Sequence, residues 1–120
     1  MNLLNYSEII NDKKEEIIFA LKEKFVCKNQ FMGLIWNSFI CHPKCVPSGY
    51  LKKIGETILH EVYFYIERED KLYLTYFTDI VNYVEKLEYW DEIDAYIFDK
   101  SMQWIIAITH EDNQLLCIGI

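Results

Sequence analysis

The sequence predicts an α+β protein in which N-terminal helices pack on a C-terminal antiparallel sheet. Near the N-terminus, apolar residues recur at helical spacing between Ile10 and Phe25. Near the C-terminus, short polar segments separate three apolar runs rich in β-branched and aromatic residues, as is typical of an antiparallel meander. These runs are Ala95–Phe98, Trp104–Ile108 and Leu115–Ile118. The length of 120 residues is ordinary for one core, so residues 1–120 are expected to form a single domain.

Before the middle of the chain, the sequence predicts a cap for the first helix, a second helix, a loop and further helical turns. Ser7 is expected to cap the first helix, because Ser is a favoured N-cap residue. A second, short helix is expected over Phe31–Ile40, ending before Pro43, since proline disfavours the helical conformation of the residue before it. Lys44 to Gly49 is predicted to be a loop, and the ten residues from Tyr50 are expected to form one or two further helical turns.

In the middle of the chain, two sets of side chains alternate along the sequence as they do in a β-strand. In Val62–Ile66, three apolar residues alternate with Tyr63 and Tyr65, which places the two sets on opposite faces. A turn and a second strand over Leu72–Phe77 are expected to follow, with a helix capped at Thr78 and running to about Tyr89. The competing interpretation is one helix that already begins near Tyr73, because apolar residues from there onward also recur at spacings of about three and four.

The middle run of the meander is continuously apolar. This pattern indicates cover on both faces of the sheet, so the first helix is expected to pack across it. Trp104 opens this run and is expected to be buried between the sheet and that helix.

Charge is unevenly distributed along the sequence. Residues 1–60 contain 6 acids and 8 lysines, whereas residues 61–99 contain 11 acids and 3 bases. Acids are densest from Glu85 to Asp94, where five carboxylates surround Tyr89 and Trp90 and only Lys86 offsets them. Such a surface repels nucleic-acid phosphates and attracts a basic protein. The predicted partner-binding residues are Glu85, Glu88, Tyr89, Asp91, Glu92 and Asp94.

Other classes of site receive little support from the sequence. Cys41-His-Pro-Lys-Cys45, with Cys27 upstream, contains groups that zinc accepts, but a second compact ligand pair is missing. The four glycines are isolated and form no phosphate-binding loop. No cofactor and no metal are therefore predicted.

The expected location is the cytoplasm. The N-terminus lacks the basic and apolar regions of a secretory signal. No apolar run approaches the roughly 20 residues that a membrane-spanning helix requires, so no membrane partner is predicted.

The C-terminal region resembles the closing segment of small immunity proteins from bacterial toxin–immunity loci. The similar features lie in Tyr96 to Asp112 and in Ile118-Gly119: an aromatic strand that ends in Asp, a Trp that opens the next strand, a His followed by an acid, and a closing Gly. The resemblance implies that the protein binds and neutralises a toxin. It carries over no binding residues, because these differ between members of such families.

Together these observations predict a non-catalytic protein-binding module that neutralises a basic, nuclease-type toxin through an acidic surface. One alternative is a small enzyme or ligand-binding domain that uses His110 and Glu111, with Tyr96, beside the sheet. Another is a subunit of a larger assembly. The oligomeric state stays open.

The cysteines provide a first testable prediction. Because the second zinc-ligand pair is missing, protein purified without chelators is expected to contain less than a stoichiometric amount of zinc. Metal analysis by mass spectrometry measures this. One tightly bound equivalent of zinc would contradict the prediction and direct attention to Cys27, Cys41, His42 and Cys45.

Overall fold

The computed structural model of the chain describes residues 7–26, 35–87, 93–109 and 114–120. Within these ranges there are seven strands: β1 (Ser7–Ile9), β2 (Lys44–Pro47), β3 (Glu61–Ile66), β4 (Lys71–Tyr76), β5 (Ala95–Phe98), β6 (Ile105–Ile108) and β7 (Gln114–Ile118). They form one antiparallel sheet in the order β1-β4-β3-β5-β6-β7-β2. The predicted C-terminal meander is therefore confirmed as β5-β6-β7.

Helices cover both faces of this sheet. The α-helices in the described ranges are α1 (Asn11–Phe25), α2 (Leu51–Gly55) and α3 (Phe77–Glu85), and short 3-10 turns occupy Ile35–Ser38, Ser48–Tyr50 and Glu67–Glu69. The α+β class predicted from the sequence is confirmed. Among these helices none is long and apolar enough to cross a membrane.

The two faces of the sheet bury different partners. Tyr63 and Tyr65 of β3 pack with Leu21 and Phe25 of α1, on what we call the α1 face. On the opposite face, here the α2/α3 face, the other residues of β3 pack with α2 and α3. This alternation confirms the predicted assignment of β3 residues to two faces. It also confirms that the first helix lies on the sheet and that the central strands are covered on both sides.

The N-terminal half departs from prediction in two places. Ser7 does not cap α1 but begins β1, and the N-cap residue is Ile10, which makes no side-chain capping bond. The predicted loop from Lys44 to Gly49 is wrong, because residues 44–47 are strand β2, whose register runs from Lys44 opposite Cys117 to Pro47 opposite Gln114. A proline is tolerated there because β2 lies at the edge of the sheet.

The two short helical predictions have different outcomes. Of the predicted helix at residues 31–40, the structure shows only the 3-10 turn Ile35–Ser38, and residues 31–34 lie outside the described residues. The helical turns expected after Tyr50 are confirmed as α2.

The structure decides between the two interpretations of the middle segment. β4 pairs with β3 along its whole length, which confirms the strand and excludes the competing helix from Tyr73. Asp70, with φ of 52°, adopts the left-handed conformation that completes the turn between the two strands. Helix α3 begins at Phe77, one residue before the predicted cap at Thr78, and ends at Glu85 rather than near Tyr89.

Trp104 lies on the opposite face from the one predicted. Its side chain is half-buried and packs on the α2/α3 face, whereas Ile105 faces α1. Side chains alternate between faces along a strand, so Trp104 shares the face of Ile106, two residues later. The indole Nε1 donates a hydrogen bond to Asp99 at 3.1 Å.

The contact between α2 and α3 leads to a prediction about stability. A Cβ atom added at Gly55 would overlap the buried ring of Phe77 at the start of α3. Helix propensity favours alanine over glycine by about 1 kcal/mol. Overpacking in a core costs about 1–3 kcal/mol. We therefore expect Gly55→Ala to lower the free energy of unfolding in urea.

Gly49→Ala is the matched control, because nothing lies within 4 Å of the added Cβ atom. Its free energy of unfolding is expected to stay within about 0.5 kcal/mol of the parent. Equal stability of the two variants would show that α2 moves freely away from Phe77.

Candidate protein-binding surface

The structure separates the residues of the predicted acidic site. Glu85 is exposed at the end of α3, and Asp94 is fully buried just before β5. The other predicted residues, Glu88, Tyr89, Asp91 and Glu92, lie outside the described residues. Of the predicted set, the structure therefore places only Glu85 on the surface.

The buried position of Asp94 results from its partners. Its side chain is 0 % exposed, and its carboxylate accepts hydrogen bonds from Arg68 Nε at 2.5 Å and from Trp36 Nε1 at 3.0 Å. A buried carboxylate is stable only when it is paired and hydrogen-bonded. Asp94 belongs to the interior, so the prediction that it lies on an exposed binding surface is wrong.

Glu67 forms a second, half-buried acceptor in the same network. Its carboxylate accepts the Ile35 backbone N–H at 3.0 Å and the Tyr96 hydroxyl at 2.6 Å. Burial raises the pKa of Glu67 above its ordinary value, although the bonds from Tyr96 and Ile35 oppose the rise. The Trp36 backbone N–H donates to the Tyr96 oxygen at 3.0 Å. The two carboxylates thereby hold the turn Ile35–Ser38 against the ends of β3 and β5.

Tyr96 therefore has a structural role in this network. Burial, followed by the bond to Glu67, raises the pKa of the Tyr96 hydroxyl far above its ordinary value. The alternative site combined Tyr96 with His110 and Glu111, both of which lie outside the described residues. The contacts of Tyr96 account for its burial without any substrate.

A further polar cluster, which sequence analysis missed, surrounds Asp99. Its carboxylate contacts His60 Nε2 at 2.8 Å, the Ser101 backbone N–H at 2.9 Å and the Ser101 hydroxyl at 2.5 Å, in addition to the Trp104 indole. Burial alone would raise the pKa of Asp99, but these hydrogen bonds lower it below its ordinary value. The spacing Asp-x-Ser, typical of a side-chain-capped turn, is the sequence signal that could have indicated the cluster.

The Asp99 cluster contains Ser, His and Asp but lacks the geometry of a nucleophile. The Ser101 hydroxyl donates to Asp99 instead of to His60, so the imidazole is not placed to remove its proton. The carboxylate is a shared acceptor that fixes the turn after β5 to the start of β3.

An open groove lies between α2 and α3, next to Glu85. Its volume is about 190 Å³. The lining side chains are Lys52, Gly55, Glu56, Leu59, Thr78, Val81, Asn82 and Glu85. Leu59 is 80 % exposed, the highest exposed fraction among the large hydrophobic residues of the described segments. The groove therefore combines an exposed apolar residue with carboxylates at Glu56 and Glu85 and the ammonium group of Lys52.

The sequence contained only weak signals for this groove. Leu59 is the last apolar residue before β3 and belongs to no periodic pattern, so nothing in its context indicated that it is exposed. Glu85 was predicted from charge density alone.

The cysteines of the described segments are Cys41 and Cys45, which are exposed, and Cys117, which is buried, and all three are free thiols. Cys27 lies outside those segments. No group of three or more His, Cys, Asp or Glu side chains within them is placed to hold a metal ion.

No family model, curated protein or solved structure matches this chain.

The Asp99 cluster predicts a dependence of stability on pH. A lowered pKa means that the folded state favours the ionised carboxylate. The resulting stability is present above the ordinary pKa of 3.8 and is lost as the pH falls through the lower folded value. We expect Asp99→Asn to reduce the free energy of unfolding at neutral pH by about 1–3 kcal/mol. This difference from the parent should shrink at a pH well below 3.8.

Urea unfolding of parent and variant at both pH values measures this difference. Glu61→Gln, which alters an exposed carboxylate on β3, is the control and should leave the stability nearly unchanged at either pH. A destabilisation by Asp99→Asn that is independent of pH would assign the loss to packing rather than to the ionised carboxylate.

Proposed function

We propose that this protein is a cytoplasmic, non-catalytic binding module that neutralises a basic protein partner, a toxin with nuclease activity. In this proposal the acidic residues from Glu85 to Glu92 occupy the cationic site that the toxin uses for nucleic-acid phosphates. The α2–α3 groove beside Glu85 supplies the apolar contact.

The observation that carries the proposal is the α2–α3 groove, which brings the exposed Leu59 and the carboxylates of Glu56 and Glu85 to one surface. Protein interfaces have an apolar centre and a polar rim, and the centre contributes most of the binding energy. Leu59 is suited to such a centre, and Glu56 and Glu85 are suited to an acidic part of the rim. This arrangement is complementary to a basic surface that carries an exposed apolar side chain.

The charge distribution also supports an acidic binding surface, once the acids that have partners within the fold are set apart from the others. Asp94 is buried against Arg68, and the half-buried Glu67 accepts from Tyr96. Asp70, whose side chain is 65 % exposed, forms an ion pair with Lys14 at 2.8 Å. Asp94 and Glu67 therefore have a structural role, whereas the exposed pair of Asp70 contributes little to stability. Glu85 is exposed, and Glu88, Asp91 and Glu92 follow it closely in sequence, so the proposal assigns the partner contact to them.

Two independent properties are expected from this surface. The acids increase the association rate by long-range attraction, which salt screens beyond about 8–10 Å at physiological ionic strength. The apolar contact of Leu59 acts at short range and controls the lifetime of the complex.

The first test is whether a secreted or contact-delivered toxin is encoded directly upstream of the gene for this protein, and a toxin found there is the partner for the binding experiments. Co-expression is expected to restore growth, and the purified pair should form a complex. Reversing Glu88, Asp91 and Glu92 to Lys should slow association about tenfold or more at low salt, with a smaller effect at high salt. Stopped-flow fluorescence measures the association rate.

The matched control reverses Glu15, Glu16 and Glu23 to Lys. These exposed acids on α1 give the same change in net charge on the opposite face of the sheet. Equal slowing by both triple variants would assign the effect to net charge alone. Unchanged capture by the first variant at low salt would contradict an acidic binding site.

Leu59→Ser tests the apolar part of the surface. We expect dissociation to become about tenfold faster, as for loss of an interface anchor worth at least 1 kcal/mol, while association and folding are retained. Ile40→Ser is the control, because Ile40 is a comparably exposed apolar residue outside the groove. Equal effects of the two substitutions would remove the groove from the proposed interface.

A further inference from the structure

The edge strand β2 has one side that no described strand occupies. It pairs with β7 and is the last strand in the sheet order. The backbone groups on the outer side of an edge strand are a template for pairing with another chain. Lys44 and Pro47, at its two ends, are residue types that hinder the indiscriminate pairing of edges.

A cleft lies beside this edge strand. Its volume is about 430 Å³, more than twice that of the α2–α3 groove. Most of its lining is apolar and comes from β2, the turn before α2, α2, β7 and the end of the chain after β7: Val46, Pro47, Tyr50, Ile54, Cys117 and Ile120. Tyr50 is 50 % exposed and Ile120 is 48 % exposed, so the cleft opens to solvent.

The charged side chain that lines the cleft is Lys44, opposite in sign to the acidic segment. From residue 24 to residue 55 the sequence contains no Asp or Glu. It contains five lysines there: Lys24, Lys28, Lys44, Lys52 and Lys53. Lys44 lines the cleft, and Lys53 follows Tyr50 by three residues, about one helical turn. An occupant of this site is therefore expected to carry negative charge.

We propose that β2 binds an extended acidic segment of another protein as an additional strand of the sheet. In this mode, main-chain hydrogen bonds provide affinity, and pockets that accept alternate side chains provide specificity. The open edge and the apolar cleft adjoin each other, so one extended peptide reaches both. Its apolar side chain enters the cleft, and a neighbouring carboxylate pairs with Lys44.

Charge complementarity also favours an acidic segment over a second copy of the same edge. A second copy of β2 would bring another Lys44 and no carboxylate to the edge, whereas an acidic segment supplies the opposite charge. The site is distinct from the proposed acidic surface, which binds a partner of opposite charge, so neither depends on the other.

The test uses a blocked synthetic peptide of alternating Glu and Val residues, about eight long, within the ordinary range of strand lengths. It is titrated into the whole protein up to about 1 mM, the weak end of useful affinities, and followed by amide NMR. The amides of Lys44, Cys45, Val46, Tyr50 and Ile54 are expected to shift, and hydrogen exchange in β2 is expected to slow. A peptide of alternating Lys and Val residues is expected not to bind.

Two changes separate the parts of the site. Methylating alternate backbone nitrogens of the peptide keeps its side chains but removes strand pairing, and should abolish binding. Lys44→Glu should weaken binding about fivefold, in the range for an exposed charge pair. Lys13→Glu, on the exposed surface of α1, is the control and should leave binding unchanged.

Three results would overturn the proposal. Equal binding of the Lys peptide would remove charge selection, and undiminished binding of the methylated peptide would remove strand addition. Shifts of the cleft amides with decanoate, but not with the Glu peptide, would define a small-molecule site instead. None of these results bears on the toxin experiment, which uses a different surface.

Discussion

The burial of the central strands on both faces is the constraint on which this structure depends. β3, β5 and β6 are almost wholly apolar, so helices must cover each side of the sheet. In the described part of the chain, α1 covers one face and α2 and α3 cover the other. With both faces covered, contact with partners is left to the outer surfaces of the helices and to the edges of the sheet. Both proposed binding surfaces occupy such positions.

The same constraint explains the buried acids. Chain segments that leave a doubly covered sheet expose backbone N–H groups in places that water reaches poorly, and these groups need acceptors. Glu67 accepts the Ile35 N–H, and Asp99 accepts the Ser101 N–H. The acidity of residues 61–99 thus has two origins, internal hydrogen bonding and surface charge. A charge count along the sequence adds the two together.

Sequence patterns predicted the elements whose signals are local. The alternation in Val62–Ile66 and the apolar runs of the meander identified β3, β5, β6 and β7, because side-chain periodicity reports directly on burial. β2 could not be found in this way. Residues 44–47 contain Lys and Pro, and they are a strand only because β7 pairs with them. The burial of Asp94 likewise depends on Arg68 and Trp36, which are distant in sequence, so charge density misplaced it on the surface.

The placement of β1 and β2 has a consequence for biosynthesis. Both come from the N-terminal half of the chain, yet Ser7 pairs with Leu74 and Lys44 with Cys117. As the chain emerges from the ribosome, β2 cannot pair until β7 has been synthesised. Until then, its apolar residues stay in contact with water. Pairing over such sequence distances also slows folding, because loop closure precedes any gain from contacts. During that interval the charge of Lys44, in a stretch of sequence without Asp or Glu, favours the solubility of the unpaired strand over that of a neutral one.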